Sequence, residues 1–212
     1  MKLLSINVSL PKTVSINGRT YSTGIYKTAH AGPVPLKRLN LAGDGQGDLK
    51  NHGGEYQAVY CYPHEHYAYW ATELARTDFQ FGQFGENFTT QGLLENEVCI
   101  GDTFRIGEAI IQVTQPRVPC YKLADKLGTP GFEVTFLRAN RSGFYVRVLE
   151  EGDVQAGDPI ALVSKDPIGM TVAEVNSALY LDKQPSAAER ALQIAALSPG
   201  WKRSFEKLLA KA

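Results

Sequence analysis

The feature that most constrains this chain is a series of short apolar alternations broken by glycine and aspartate. Leu4, Ile6 and Val8 alternate with polar partners, and Ala58, Tyr60 and Tyr62 do the same with Val59 and Cys61 opposite. Phe104 and Ile106 lead into Gly107-Glu108, and Ile110, Ile111 and Val113 follow, which is the pattern of a hairpin. Residues 144–148 and 160–163 are two further β-rich runs. Many short strands of this kind predict a barrel or a sandwich. Val98-Cys99-Ile100-Gly101-Asp102-Thr103-Phe104 is echoed by Val154-Gln155-Ala156-Gly157-Asp158-Pro159-Ile160, which reads as repeated turn chemistry feeding two strands.

One helix interrupts the β region. Tyr67, Trp70, Ala71 and Leu74 fall at i, i+3, i+4 and i+7, with Pro63 near the start. After Ser164 the composition shifts. Lys165-Asp166-Pro167-Ile168-Gly169 reads as a linker, and three helix starts follow. Thr171-Val172-Ala173-Glu174 and Ser186-Ala187-Ala188-Glu189 are capping-box patterns, and Ser198-Pro199 places a cap before a proline. The expected architecture is a mainly β domain over residues 1–164 and a three-helix appendage over residues 165–212. Each of the three helices is too short to stand alone and must pack on a neighbour.

Composition narrows the function. The 212 residues carry 22 Lys/Arg and 22 Asp/Glu, so the net charge is zero, which argues against a dedicated nucleic-acid binder. No apolar run reaches the length of a membrane span. An odd cysteine count of three does not make a disulfide framework and points to the reducing cytoplasm. A neutral chain rich in aromatics is compatible with a homodimer.

Four segments can carry chemistry. In Gln115-Pro116-Arg117-Val118-Pro119-Cys120-Tyr121-Lys122 a cysteine sits between two cations on a proline-stiffened loop. Nearby positive charge favours the thiolate, which serves as a nucleophile or a soft metal ligand; the alternative is a buried structural thiol. Residues 43–54 form a glycine-rich loop whose backbone N–H groups can make an anion nest, and within it Asp48 and His52 can act as an acid/base or orienting pair. It lacks the Gly-Lys-Ser/Thr ending of a nucleotide-binding loop, and as a bare loop it also reads as a surface turn. Gly85-Glu86-Asn87 offers an amide suited to a heterocycle edge or, alternatively, to a turn. Arg138-Ala139-Asn140-Arg141-Ser142-Gly143-Phe144 lies in a locally basic stretch, with seven Lys/Arg against three Asp/Glu between Arg105 and Arg147. Arginine clusters match phosphate geometry, though a solvated basic face has the same composition. Cys61, His64 and His66 form a C-x₂-H-x-H spacing without a second pair, which is weak grounds for zinc.

In order, Asp48-x₃-His52-Gly53-Gly54, Gly85-Glu86-Asn87, Pro116-Arg117-x-Pro119-Cys120-x-Lys122 and Ser142-Gly143-Phe144-Tyr145-x-Arg147-Val148 resemble a MOSC domain, the molybdenum-cofactor sulfurase C-terminal domain, in its YiiM-type subfamily. The resemblance covers roughly residues 2–163, and the tail is similar to the three-helix domain of that subfamily. It implies a β-barrel-like core and a molybdenum cofactor, a pterin dithiolene with a terminal phosphate, and no dependence on pyridoxal phosphate. It further implies Cys120 as the molybdenum ligand, and Arg117, Lys122 and Arg141 as cations for the phosphate. Lys50, Gly53 and the glycine-rich loop would cradle the cofactor, with Ser142 beside Arg141. Asn87 would face the pterin edge, and His52 or Asp48 would orient a ligand or relay a proton. The implied activity is reduction of small N-hydroxylated compounds such as 6-N-hydroxylaminopurine.

No G-x-G-x-x-G fingerprint and no iron–sulfur cysteine set is present, so electrons would come from a separate flavin or iron–sulfur reductase. Trp201 and Phe205 share one helical pattern that either docks such a donor or packs on the β domain. Two other functions use the same residues. In one, a cofactor or sulfur carrier holds a persulfide or a transient metal centre on Cys120. In the other, a hydrolase pairs Cys120 with His52.

Overall fold

The computed structural model describes residues 1–49 and 52–211. In chain order the strands are β1 (Lys2–Val8), β2 (Lys12–Ile16), β3 (Arg19–Thr23), β4 (Thr28–Ala29), β5 (Val34–Leu36), β6 (Val59–Pro63), β7 (Phe88–Gln91), β8 (Thr103–Ile106), β9 (Ala109–Pro116), β10 (Phe144–Glu150), β11 (Gly152–Val154) and β12 (Ile160–Ser164). Eight of them form one mixed sheet in the order β12-β8-β9-β10-β6-β7-β1-β4. Its pairs are antiparallel except β6 with β7. A parallel pair needs a crossover, and the sequence-predicted helix α1 (Glu65–Glu73) provides it.

The core is barrel-like without being a closed barrel. Where a barrel would seal, β1 meets the start of β12 through a single bridge, Lys2 with Pro159, flanked by hydrogen bonds from Leu3 N–H to the Asp158 carbonyl and from Ile160 N–H to the Met1 carbonyl, both 3.0 Å. The two echoed segments make the same turn. Asp102 and Asp158 each accept the N–H of the residue three before it, Cys99 at 3.0 Å and Gln155 at 2.7 Å, and Gly101 and Gly157 take positive φ of 98° and 103°. The turns lead into β8 and β12, which pair with each other.

The central strand β6 is buried on both faces, with a different core on each. Val59 and Cys61 join the main aliphatic core, whereas Tyr60 and Tyr62 point into an aromatic one with Trp70 and Phe84. Helices α2 (Tyr121–Leu127) and α3 (Phe132–Arg138) cover that aromatic face through Leu123, Phe132 and Phe136. Neither helix was expected from the sequence.

In the tail, Thr171 forms the expected capping box with Glu174 and starts α4 (Val172–Asn176), which runs into a π-helical turn, Ser177–Leu181. Ser198 caps α6 (Pro199–Leu209) through the Trp201 N–H. Ser186 does not cap a helix: α5 (Pro185–Leu192) begins one residue earlier, because Pro185 already supplies helical φ at the first turn. Trp201 and Phe205, 5% and 0% exposed, belong to the same core as the sheet residues. They therefore pack inward and do not form a docking face. Each such side chain stabilises the junction by about 2–3 kcal/mol.

Candidate functional site

The site forms where β9 hands over to α2. Arg117 N–H donates to the Gly143 carbonyl at 3.0 Å and pins the proline-stiffened loop to the entry of β10. Cys120 then takes extended backbone as the N-cap of α2. Opposite this loop stands the glycine-rich segment, whose glycines permit a close backbone approach. A Cβ at Gly47 would lie 2.3 Å from the Ser22 carbonyl carbon, and one at Gly24 would lie 2.2 Å from the Gly45 oxygen. Only glycine lets this loop lie on the β2–β3 hairpin.

Between them opens a cleft of about 620 Å³, facing solvent. It collects His52, Gly53, Asn87, Arg117, Cys120 and Lys122 from the sequence-predicted set. It also collects residues to which the sequence reading gave no role: Lys27, Asp44, Tyr60 and Tyr145. Among the described lining residues, three Lys/Arg side chains face one carboxylate, Asp44. That carboxylate is already taken: it pairs with Lys27 and accepts from Ser9 N–H and Asn87 Nδ2, both at 2.9 Å. The cleft of a neutral chain is thus locally cationic.

Arg117 is the least accommodated cation. It is 5% exposed, its guanidinium lies 4.9 Å from the centroid of the Tyr60 ring, and its Nη1 has no hydrogen-bond partner in the protein. Burial opposes its charge, but Tyr60, Tyr145 and the Cys120 sulfur more than restore it. A buried, charged, unfilled donor is a receptor for an anion. Lys122, nearly as buried, donates to the Ser22 carbonyl at 3.2 Å.

The Cys120 thiol is held below its ordinary pKa. Burial works against the thiolate, but a hydrogen bond from His52, the Arg117 charge and the Lys122 backbone N–H together outweigh it. The other two thiols are unlike it: burial raises the pKa of both Cys61 and Cys99. His52 Nδ1 lies 3.9 Å from the Asp48 carboxylate, close enough for electrostatic orientation but beyond hydrogen-bond distance.

Other expected site residues sit differently. Lys50 lies outside the described residues. Asp48 flanks His52 without lining the cleft. Asn87 lines it, yet both hydrogens of its amide go to protein acceptors, the Asn7 carbonyl at 3.2 Å and Asp44, and its Oδ1 accepts from Tyr60 N–H at 3.2 Å. Its visible work is to lock β6, β1 and the glycine-rich loop together. Arg141 and Ser142 are not brought into the cleft. The Arg141 guanidinium turns to α1, 3.3 Å from His66 Nδ1 and 4.7 Å from the Tyr69 ring centroid. Ser142 is buried and offers its carbonyl to the Tyr60 hydroxyl at 2.7 Å. The C-x₂-H-x-H residues also separate: Cys61 is core, and His66 Nε2 meets Glu95 at 2.5 Å. Among the described residues no group of three His, Cys, Asp or Glu is placed to hold a metal ion, and no helix is long and apolar enough to cross a membrane.

A lone polarised thiol, an unfilled guanidinium and a glycine backbone cradle fit a phosphate-bearing group that also presents a soft metal. Comparison with known proteins agrees in kind. The MOSC domain family matches residues 48–161, and the YiiM-like 3-alpha helix domain matches residues 170–212. YflK of Bacillus subtilis (strain 168) is 46% identical over 206 residues, 97% of this chain and 93% of that protein. A protein of Gibberella moniliformis (strain M3125 / FGSC 7600) named Reductase is 32% identical over 166 residues, 77% of this chain and 29% of that protein. The crystal structure of YiiM from Geobacillus stearothermophilus superimposes with a TM-score of 0.84 at 37% identity, over 98% of both chains. The chain belongs to the MOSC domain family, with the YiiM-like three-helix domain following it.

Proposed function

We propose that this protein is a molybdenum-cofactor-dependent reductase of N-hydroxylated compounds, 6-N-hydroxylaminopurine-type base analogues among them, working with a separate electron donor. The observation that carries the reading is the pairing, in one cationic cleft, of a thiol biased toward thiolate with a buried guanidinium whose Nη1 is unfilled. The family's association with this cofactor and a relative named Reductase support it.

In this reading Cys120 would hold molybdenum through its thiolate, and Arg117 and Lys122 would hold the terminal phosphate. The backbone of the glycine-rich loop encloses the pterin side, while Asn87 holds that loop in place. When bound, the cofactor supplies the two-electron redox chemistry. The reaction is R–NH–OH + 2e⁻ + 2H⁺ → R–NH₂ + H₂O: the N–O bond breaks, the oxygen leaves as water, and one proton ends on nitrogen. His52, which lies between the thiol and Asp48, would pass a proton from a ring nitrogen to the departing oxygen. Tyr60 and Tyr145 wall the cleft with rings.

The electrons come from a flavin or iron–sulfur reductase. The shared part covers only 29% of the Gibberella reductase, so most of that protein lies outside the portion it has in common with this chain.

The test is anaerobic turnover of benzamidoxime by cofactor-loaded protein with reduced methyl viologen as a one-electron donor. Two viologens oxidised per amidine formed, over many turnovers and lost in Cys120→Ala, is the expected result. A single equivalent of product, or release of sulfur or cofactor to an acceptor without turnover, would replace this reading with the carrier role.

A further inference from the structure

A second cavity adjoins the cationic cleft. It encloses about 970 Å³, open to solvent, and shares His52, Gln57 and Tyr145 with the first. Its opposite wall belongs to the C-terminal domain: Tyr180 from the π-helical turn, and Trp201 and Ser204 from the start of α6. Tyr180 is 37% exposed and meets the Trp201 ring edge-on at 5.6 Å. π-Helical turns in this kind of setting recur at functional sites.

The two cavities differ in chemistry. The first is lined by Lys27, Arg117 and Lys122, whereas no Lys, Arg, Asp or Glu among the described residues lines the second. What the second offers instead is aromatic surface, carboxamides and hydroxyls. Gln115 is the telling member. It is 94% buried and still lines this cavity. Its carboxamide carries both a donor and an acceptor.

We infer that this second cavity, at the joint of the β domain and the three-helix domain, is a binding site for an uncharged, flat ligand with hydrogen-bonding edges. The helical domain thereby takes part in choosing the substrate. Rings recognise the flat faces, Gln57 and Gln115 read the edge, and among the described residues no cation lines the cavity to hold the anions that the first cleft attracts. His52 on the shared wall places such a ligand next to Cys120. That this ligand is the substrate rests on the reductase reading; that it binds here does not.

The experiment uses two probes, neutral benzamidoxime and its anionic 4-carboxy analogue, titrated calorimetrically into the full chain with saturating inorganic phosphate present to occupy the cationic cleft. The cavity predicts binding of the neutral probe and at least tenfold weaker binding of the carboxylate. Ser204→Trp, at a partly exposed position on α6, fills the cavity. It should weaken the neutral probe at least tenfold while the melting temperature and the alkylation rate of Cys120 stay unchanged. Gln115→Leu should weaken it about tenfold. Equal binding of the two probes, no binding of the neutral one, or an unchanged dissociation constant in Ser204→Trp would each overturn the assignment. Probe binding sensitive to Ser204→Trp, without any turnover by loaded protein, would uphold the pocket and refute the reductase reading.

Discussion

Replacing His52 with leucine should raise the pKa of Cys120 by roughly one to two units. The thiolate is favoured here by a hydrogen bond from His52, the Arg117 charge and the Lys122 N–H, acting against burial. A hydrogen bond to a charged group is worth about 1.5–3 kcal/mol, and one pKa unit corresponds to about 1.4 kcal/mol. Removing the His52 contact therefore moves the titration upward by about that amount, leaving Arg117 and the N–H in place. Iodoacetamide alkylation across pH 5–10 follows it, with Cys120→Ala setting the background from Cys61 and Cys99. The midpoint is a better readout than the rate at neutral pH. A thiolate of higher pKa is more nucleophilic with a Brønsted slope of about 0.4–0.5, so a tenfold loss of thiolate slows the reaction only about threefold. A midpoint in His52→Leu within about 0.3 units of wild type would refute the claim that His52 prepares this thiol.

Three further predictions concern the frame around the site. Burial holds Lys126 down to about 8, with Lys27 and Arg117 adding to the effect against Glu86. Its folded pKa lies below its ordinary value, so between about pH 8 and 10.5 the native state binds fewer protons than the unfolded one, and stability rises with pH through that window by up to about 3 kcal/mol. Urea denaturation from pH 7 to 10 should show wild type gaining on Lys126→Met; parallel curves would contradict it. Gly143 has φ 71°, and a Cβ there would fall 2.4 Å from the Cys61 carbonyl oxygen. Gly143→Ala should thus cost about 3 kcal/mol or more in denaturation, and a loss under 1 kcal/mol would mean the backbone adjusts freely. Phe205 is fully buried in the core that runs from the tail into the sheet. Phe205→Ala should lower stability by about 3–5 kcal/mol in a single transition, whereas a separate early transition confined to the tail would show the two parts to be independent.

Much of the frame was legible where local pattern and fold agree. The β8–β9 hairpin, the central runs, the twin turns at Asp102 and Asp158, and the helix caps at Thr171 and Ser198 all depend on neighbours in sequence. The β2–β3 hairpin was missed although Asn17-Gly18 carries its signal, with φ of 52° and 75° at the two turn residues. Helices α2 and α3 were missed because each spans two turns and shows only pairs such as Leu123 with Leu127 and Phe132 with Phe136; the Gly128 stop was the available cue.

The site divides in the same way. Cys120, Arg117 and Lys122 lie in one loop and could be read together, and His52 announces itself in a glycine-rich segment. Lys27 and Asp44, 17 residues apart, become neighbours only when the β2–β3 hairpin folds beside the loop. Arg141 misled because composition records charge but not direction. The reversal before β10 sends its side chain to α1 while Gly143, two residues on, faces the sheet. Tyr60 and Tyr145 looked like ordinary strand residues, and only the second, aromatic face of β6 and β10 shows why they border the cleft.

The central claim is that Cys120, in a cleft built for an anionic cofactor, holds molybdenum. The most direct measurement is metal content by mass spectrometry, on protein purified anaerobically from a host that makes the cofactor, beside Cys120→Ala and Arg117→Gln. The account predicts near-stoichiometric molybdenum with its pterin in wild type and loss of the metal in Cys120→Ala. Arg117→Gln, which lacks the buried cation, should retain less of the pterin. Molybdenum retained at full occupancy in Cys120→Ala, or absent together with the pterin from all three proteins, would contradict it.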